Sequence, residues 1–201
     1  MKRPHLRMLV LALLVAGFLG CRSMTPAVDY YILRPVSPEV SPSVTVDAPI
    51  SRTVAVHPVE LPDSVNRLQM VRRSGSNRLE ISPFHRWADY PDRLIQQVVE
   101  ENLQMLAPHV RVVHHPWPAG LKPDATVHFQ FRQLVGTTDG EMLLTAVWSV
   151  IATDNSAKGQ VRRTTLSEPV PGSGFDDLAA AHSSVLTALC REVAAILNDG
   201  Q

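Results

Sequence analysis

The stretch MLLTAVWSVIA, residues 142–152, is almost continuously apolar and mixes β-branched, aromatic and aliphatic side chains. That composition is typical of a β-strand, and a strand without polar alternation is expected in the middle of a sheet with both of its faces covered. An Asp139-Gly140 pair precedes the stretch, and such a pair favours a tight hairpin turn. The sequence therefore predicts a central strand over 142–153 that pairs with a strand over 125–135.

Further elements follow in both directions from this hairpin. Short runs of strand-forming residues, separated by Pro, Gly and Ser, predict strands at 30–33, 52–62, 67–73, 77–82 and 110–114. A more polar run near 160–168 predicts a strand at the edge of the sheet. Apolar residues at helical spacing predict two main helices, one between Pro91 and Pro108 and one over about 175–198.

The first twenty residues have the organisation of a bacterial signal peptide. A basic start is followed by an uncharged apolar segment, residues 8–18, which is too short to cross a bilayer. The segment ends at Phe18-Leu19-Gly20-Cys21, which resembles the lipobox of bacterial lipoproteins, where the cysteine is acylated and the chain is cut before it. The alternative is an ordinary secretory signal that a cysteine follows by chance. On the lipoprotein interpretation, Cys21 is the lipid-attachment residue.

Together these elements predict an α/β fold in a single domain. We expect a mixed or mostly antiparallel sheet packed by two main helices and preceded by a cleaved lipoprotein signal peptide. The expected divisions are residues 1–20 as the signal peptide, 21–50 as the lipidated cysteine with the first strand and a Pro-rich segment, and 51–199 as the main domain.

Composition and motifs argue against several classes of function. The chain has 19 basic and 19 acidic residues and is 5% aromatic, whereas nucleic-acid binding requires concentrated positive charge or aromatic platforms. His114 and His115 are adjacent on a predicted strand and therefore point to opposite faces, so with His109 and His128 they do not form a metal-ligand pattern. We therefore expect no nucleic-acid partner, no metal and no cofactor.

No catalytic residue is predicted either. Ser173 lies in a Gly-Ser-Gly sequence that lacks the spacing of a nucleophile elbow, and it is expected to cap the second helix or shape the loop before it. Once Cys21 is acylated, Cys190 has no disulfide partner, and we expect it to pack as a small apolar side chain. The chain is therefore predicted not to be an enzyme.

Several short motifs follow one another in the middle of the chain: Leu61-Pro62, Arg67, Gln69, Arg72, Trp87-Ala88 and Asn102-Leu103. A Tyr-Tyr strand at 30–33 precedes them, and Pro116-Trp117, Trp148 and the terminal helix follow. In these residues the chain resembles the ABC-type transport auxiliary lipoproteins related to paraquat-inducible protein C. Two departures are Ser64-Val65, where the family often has Tyr-Leu, and Cys190, where serine is common.

The resemblance implies a periplasm-facing, lipid-anchored auxiliary subunit of a mammalian-cell-entry (MCE) transport system that moves lipids between the membranes of Gram-negative bacteria. It implies an MCE-domain tunnel protein as partner, membrane attachment through the N-terminal lipid and a contribution to outer-membrane integrity. Arg22 is not the aspartate that typically retains lipoproteins in the inner membrane, so we expect the outer membrane. Self-association stays open, as do two other functions: an envelope-stabilising lipoprotein without a transport role and, least favoured, a periplasmic hydrolase.

The expected partner contact is the loop over 62–67 together with the adjoining hairpin. Each helix carries a single apolar stripe that the sheet can cover, whereas this loop combines Pro62, Val65 and Arg67 in a composition suited to recognition. The alternatives are that Arg67 only pairs with a nearby carboxylate, or that the contact lies in the Pro-rich segment 35–50. Trp87 and Trp148 are expected in the core, because large aromatic side chains bury extensive area.

Overall fold

A computed structural model describes residues 26–37, 49–154 and 159–199 of the chain. In these ranges one mixed sheet of eight strands is covered by two helices. The elements in chain order are β1 (Asp29–Tyr31), β2 (Arg52–Val56), β3 (Gln69–Ser74), β4 (Arg78–Trp87), α1 (Pro91–Leu106), β5 (Val110–His114), β6 (Ala125–Thr137), β7 (Glu141–Ala152), β8 (Gln160–Pro169) and α2 (Phe175–Asp199).

The sheet is organised around β6. Along one edge, β6 pairs antiparallel with β7 over nearly its whole length, and β8 pairs antiparallel with β7. Along the other edge, the start of β6 pairs in parallel with β2, and its end pairs in parallel with β3. Beyond these, β5 lies beside β2, while β4 lies beside β3 and β1 beside β4. This arrangement confirms the predicted α/β fold with a mixed sheet and two helices.

Two predicted hairpin turns are present, each with a glycine at positive φ. Gly140 has φ +86 in the turn between β6 and β7, and Gly75 has φ +65 between β3 and β4. Left-handed backbone of this kind is readily adopted by glycine, which has no Cβ to clash. The prediction that the strand near 160–168 lies at an edge is also confirmed, because β8 pairs only with β7 among the described strands.

Both helices pack on one face of the sheet, which we call the helix face. Trp148 on β7 is 1% exposed there, and its indole Nε1 donates a hydrogen bond to Thr164 Oγ1 at 3.0 Å. The Thr164 hydroxyl in turn donates to the carboxylate of Glu192 on α2. Trp87 is 5% exposed and meets the ring of His182 edge-on, with ring centroids 5.1 Å apart. Both tryptophans therefore lie in the core, as predicted.

The two helices follow from their apolar stripes. α1 begins with Pro91, which suits a first helical position because it lacks an N–H, and it buries one stripe that includes Ile95, Val99 and Leu103. α2 is long and apolar enough, by composition alone, to span a membrane, but more than half of its most apolar stretch is buried in the fold. It is therefore a core helix. Its buried apolar side chains are Leu178, Ala179, Ala181, Val185, Leu186, Leu189, Cys190, Val193, Ala194 and Leu197.

The opposite face of the sheet, which we call the open face, differs from the sequence expectation. β7 was expected to be covered on both faces, but Leu143 and Val147 are only half-buried there and Ile151 is 40% exposed. The reason is that both helices pack on the same side. The apolar residues of β7 therefore exceed what a core on one side of the sheet needs.

The segment after β1 crosses both helices. Leu33 is buried, the backbone N–H of Arg34 donates to Ser183 Oγ at 3.0 Å, and the N–H of Val36 donates to Asn102 Oδ1 at 2.6 Å. Asn102 is fully buried on α1, so the bond from Val36 satisfies a side chain that would be costly to leave unpaired. The Asn-Leu motif thus fastens the N-terminal segment to the fold.

Cys190 is buried beside Asn102. Burial raises the pKa of its thiol to about 12, and a hydrogen bond with Asn102 opposes that rise. A thiol with such a pKa is a poor nucleophile at neutral pH. The expectation that Cys190 packs as a small apolar side chain is therefore confirmed.

Candidate functional site

The loop over 62–67 forms a compact turn between β2 and β3. The carbonyl of Pro62 accepts hydrogen bonds from the N–H groups of Val65 and Asn66, both at 3.0 Å. The side-chain Oδ1 of Asn66 then accepts from the N–H of Asp92 at 3.3 Å, in the first turn of α1. The start of a helix leaves such N–H groups unpaired, so Asn66 both satisfies one of them and fixes the loop in place.

The side chains of this loop divide between interior and exterior. Val65 lines a small cavity of about 20 Å³ together with Leu61, Trp87 and Ile95, whereas Asp63 and Ser64 are exposed. A cavity of this size has room for about one water molecule. Val65 therefore supports the loop from inside, and the surface that a partner could meet is formed by its neighbours.

Two arginines of the family motif have different surroundings. The guanidinium of Arg72 donates to the carbonyls of Ser173 and Gly174, both at 2.8 Å, and lies 4.2 Å from the centre of the Phe175 ring. Arg67 is half-buried and makes no ion pair with a carboxylate in the described parts of the chain, and its buried Nε has no hydrogen-bond partner. Arg72 thus holds the start of α2, whereas Arg67 remains available for another contact.

The sequence pattern predicts that Ser173 caps α2 or shapes the loop before it. The structure favours the second role, because Ser173 contributes its backbone carbonyl to Arg72. The carboxylate of Asp177 accepts from the N–H of Gly174 at 3.0 Å and so closes the start of the helix.

A buried histidine borders the cavity under the loop. The ring Nδ1 of His182 is 2.8 Å from the carbonyl of Leu178, so the neutral ring donates a hydrogen bond there. Burial lowers the pKa of His182 to about 4, and the bond to the Leu178 carbonyl opposes this shift. The cavity wall is therefore uncharged at neutral pH.

A more open groove of about 290 Å³ lies beside α1, next to the loop. His114 Nδ1 is 2.7 Å from Glu100 Oε1, and Gln96 Oε1 accepts from the N–H of Val59 at 2.9 Å. Gln96 also donates to Glu100, so these polar groups already have partners within the chain. The lining residues are Pro58, Val59, Asp92, Arg93, Gln96, Gln97, Glu100 and His114.

Three histidines form a row on the open face: His115 and His57 directly follow β5 and β2, and His128 lies on β6. The ring of His57 stacks on His115 with centroids 4.6 Å apart and on His128 with centroids 3.9 Å apart. The indole of Trp117 meets His115 edge-on at 5.2 Å. Burial lowers the pKa of His57, and the neighbouring His128 and His115 lower it further. Burial also lowers the pKa of His128, although Glu60 opposes this.

The stacked geometry does not suit metal binding. The rings are stacked face to face, so their nitrogens do not converge on one point as tetrahedral ligands must. Within the described ranges, no group of three or more His, Cys, Asp or Glu residues is arranged to hold a metal ion. The histidine row is an aromatic stack on the sheet surface.

The sequence located some of these features and missed others. Pro62, Val65 and Arg67 lie together in one turn, while Cys21 lies outside the described residues. The row around His57 was missed, because its three members come together only through strand pairing. His57 and His115 directly follow the ends of β2 and β5, whereas His128 lies inside β6 between Val127 and Phe129, so no common position marks the row in the sequence.

Comparison with known proteins identifies the family. The family described as "ABC-type transport auxiliary lipoprotein component" matches residues 31–194 of the chain. No curated protein matches the sequence. The crystal structure of an uncharacterized protein is similar, with a TM-score of 0.71 and 16% sequence identity, over 86% of this chain and 99% of that one.

A second crystal structure has the same fold. It is protein XCC0632 from Xanthomonas campestris, of the family DUF330, with a TM-score of 0.64 and 12% identity over 84% of this chain and 93% of that one. At such identities the similarity shows the fold alone, whereas the family match covers most of the chain. This chain therefore belongs to the ABC-type transport auxiliary lipoprotein component family.

Proposed function

We propose that this chain is the lipid-anchored, periplasm-facing auxiliary subunit of an MCE-type intermembrane lipid transport system. The observation that carries the proposal is the family match over residues 31–194, preceded by a lipobox-like sequence that ends at Cys21. The family is described as an auxiliary component of a transporter. The role is therefore to hold or position transport proteins, without a catalytic step of its own.

The proposal includes the processing and location of the chain. Residues 1–20 are removed as a signal peptide, Cys21 is acylated, and residues 51–199 form the main domain behind the linking region 21–50. The acylated chain sits in the outer membrane and faces the periplasm, where it contributes to outer-membrane integrity. Support for the outer membrane comes from Arg22, which stands where an aspartate would favour the inner membrane.

The proposed docking site for an MCE-domain tunnel protein is the loop over 62–67. Its backbone is fixed by the Pro62 carbonyl and by the Asn66 contact to α1, so binding would not require the loop to be ordered first. Asp63 and Ser64 are exposed, and Arg67 has no carboxylate partner in the described parts of the chain. A rigid loop with an uncommitted arginine suits recognition at an interface.

Site-specific crosslinking tests this docking site. A photo-reactive amino acid at Ser64 is expected to crosslink to the tunnel protein in living cells, whereas the same residue at Ala195, exposed on α2, is not. Arg67→Glu should reduce co-purification of the partner at least about tenfold, as expected for an interface arginine, while Arg191→Glu should not. Equal crosslinking from both positions would move the contact elsewhere, with the segment 35–50 as the next candidate. Val65→Asp is unsuitable as a docking test, because Val65 lines the cavity.

A Cys21→Ser variant tests the anchor. It is expected to accumulate as unprocessed precursor or as soluble protein, because the acyl acceptor is lost. A variant that still fractionates with the outer membrane after normal processing would contradict the lipoprotein proposal. If anchoring holds but deletion of the gene leaves lipid distribution between the membranes unchanged, the chain is an envelope-stabilising lipoprotein without a transport role.

A further inference from the structure

An exposed apolar patch lies where the described chain begins. Side chains along this segment alternate: Tyr31 and Leu33 point towards the core, whereas Tyr30 is 65% exposed and Ile32 is 56% exposed. Tyr90, the residue before α1, is 46% exposed at the same end of the sheet. We call Tyr30, Ile32 and Tyr90 the tyrosine patch.

Strand pairing places Tyr30 and Ile32 on one side of β1, and the chain brings Tyr90 near them. Tyr30 lies directly beside Arg86 in the parallel pairing of β1 with β4, and the N–H of Ala88 donates to the carbonyl of Tyr31 at 2.8 Å. Continuation of this register puts Ile32 beside Ala88, two residues before Tyr90.

The charges around the patch include two arginines without an acidic partner. Arg34 and Arg86 make no ion pair with a carboxylate in the described ranges. Asp89 pairs with Arg93 at 3.5 Å, whereas Asp29 is exposed and lies 3.7 Å from the His85 ring, which is a cation only when it is protonated. The patch is therefore apolar and aromatic, with arginines and a carboxylate around it. Aromatic side chains with neighbouring arginines are found where proteins meet the headgroup region of a bilayer.

The number of residues between Cys21 and the tyrosine patch limits the distance of the patch from the bilayer surface. Eight residue steps separate Cys21 from Asp29, and a fully extended chain of that length spans at most about 28 Å, whatever path it takes. An acylated Cys21 lies at the bilayer surface, so the patch can never move far from that surface. A short tether of this kind raises the effective concentration of lipid surface to about the millimolar range, so a weak patch can stay bound.

We propose that the tyrosine patch rests on the phospholipid surface in which Cys21 is anchored and so fixes the orientation of the domain. This inference rests on the proposed lipidation. Tyr30, Tyr90 and Ile32 insert at the headgroup level, and Arg34 and Arg86 meet lipid phosphates. Because the loop over 62–67 is bonded to the first turn of α1, this orientation also holds the docking loop near the membrane plane.

Quenching by brominated lipids tests the inference on the full chain. Tryptophan is introduced as Ile32→Trp or, as the matched control, as Val161→Trp, which is 69% exposed on β8. The strand order places β8 five strands away from β1, or about 24 Å along the sheet. Each protein is reconstituted in vesicles of three parts phosphatidylethanolamine to one part phosphatidylglycerol, with plain or brominated acyl chains.

The added emission of Ile32→Trp is expected to fall about twofold in the brominated vesicles, and that of Val161→Trp to stay unchanged, because only the first lies at headgroup depth. Equal quenching at the two positions, or none at position 32, would overturn the inference. If Ile32→Trp escapes the brominated lipid but is also shielded from acrylamide, a protein surface such as a second copy covers the patch, and the inference is likewise overturned.

A failure of the proposed lipidation is recognised separately, by intact mass. If no acyl chains are found on Cys21, the lipoprotein proposal fails, and the same chain is then coupled through the Cys21 thiol to a maleimide lipid. Cys190 will not compete for coupling, because its thiol is buried and its pKa is raised to about 12. The expected quenching pattern is unchanged, so the patch is confirmed or rejected in either case.

Discussion

The helix face and the open face of one sheet have opposite characters. On the helix face, Trp148 is 1% exposed and bonds to Thr164, which bonds to α2. On the open face, the neighbouring strands carry a stack of three histidines centred on His57 and an exposed Val161. The same strands supply both faces, because successive side chains point to opposite sides.

This difference separates stability from recognition. Burial of large apolar side chains on the helix face provides the main stabilising term of the fold. Exposed residues of the open face, such as Val161, lose little water contact on folding, so they can change with a small cost in stability. Surfaces that meet partners or lipid are therefore expected on the open face, the loops and the strand edges, and the four variants below test that division.

The largest effect is expected from Trp148→Ala. Loss of a fully buried indole leaves a cavity on the helix face and removes a hydrogen-bond partner of Thr164. The free energy of unfolding should fall by about 3–5 kcal/mol, as for other buried large-to-small changes. Urea unfolding followed by circular dichroism measures it.

Val161→Ala is the matched control on the open face. It removes an apolar side chain that is 69% exposed and should change the free energy of unfolding by less than about 0.5 kcal/mol. Similar decreases in the free energy of unfolding for Trp148→Ala and Val161→Ala would show that the two faces contribute alike to stability. That result would contradict the division between them.

A pH-dependent effect is expected from His182→Phe. Burial holds the pKa of His182 at about 4 in the folded chain, whereas the ordinary value is 6.5. The unfolded chain therefore binds a proton more readily between these values, and the wild-type protein loses stability as the pH falls from 6.5 to 4. The difference of about 2.5 pKa units corresponds to a loss of about 3 kcal/mol.

Phenylalanine keeps the ring against Trp87 but cannot bind a proton. Urea midpoints of the variant and the wild type are compared at pH 7.5, 5.5 and 4.5. As the pH falls, the midpoint of the wild type should decrease relative to that of the variant, so that the two values converge or cross. A constant gap between the two proteins across this range would contradict the buried neutral state of His182.

A small effect at neutral pH is expected from His57→Phe on the open face. The aromatic stack is retained, so the free energy of unfolding at pH 7.5 should change by less than about 1 kcal/mol. In the wild type the pKa values of His57 and His128 are lowered, so acid is expected to loosen the stack as the pH falls below 6.5. Trp117 emission reports this change, because its indole meets the stack edge-on.

The variant should show a weaker acid response of Trp117 than the wild type. An unchanged response would show that the histidine row does not govern this part of the open face. The buried tryptophans, Trp87 and Trp148, provide a background common to both proteins.

Local structure could be predicted from the sequence because its causes are local. The turn at Asp139-Gly140 requires a residue that adopts positive φ, and Gly140 does so at +86. The first helix lies between two prolines that the sequence already shows, Pro91 and Pro108. Helical spacing reports which residues of α1 and α2 are buried, and those predictions are confirmed, whereas β7 is not covered on both faces as its apolar run predicts.

The pairing of distant strands could not be predicted in the same way. Alternation along β2 and β3 shows that they are strands, but it says nothing about their common parallel partner, β6. Parallel pairs have no turn between them that would mark them in the sequence. The stack of His57 with His115 and His128 depends on that pairing, so it could not be predicted either.

The composition of the loop predicted which residues lie together in one turn, but not which of their side chains point inward. Pro62, Val65 and Arg67 do share one turn, yet Val65 faces the cavity, and Ser64 is exposed. The inward direction follows from the backbone bonds of the turn and from the space left beside Trp87, neither of which a short sequence contains.

The position of β6 has a consequence for the time at which the fold can form. A chain that emerges amino terminus first, from the ribosome or from an export channel, holds two strand sets that do not pair with each other until Ala125 has appeared: β2 with β5, and β1 with β4 and β3. Among the described strands only β6 joins them, and it does so by contacts between residues far apart in sequence, which form slowly. The amino-terminal half therefore has unpaired strand edges until β6 appears. The time during which these edges can aggregate depends on how fast the second half of the chain follows.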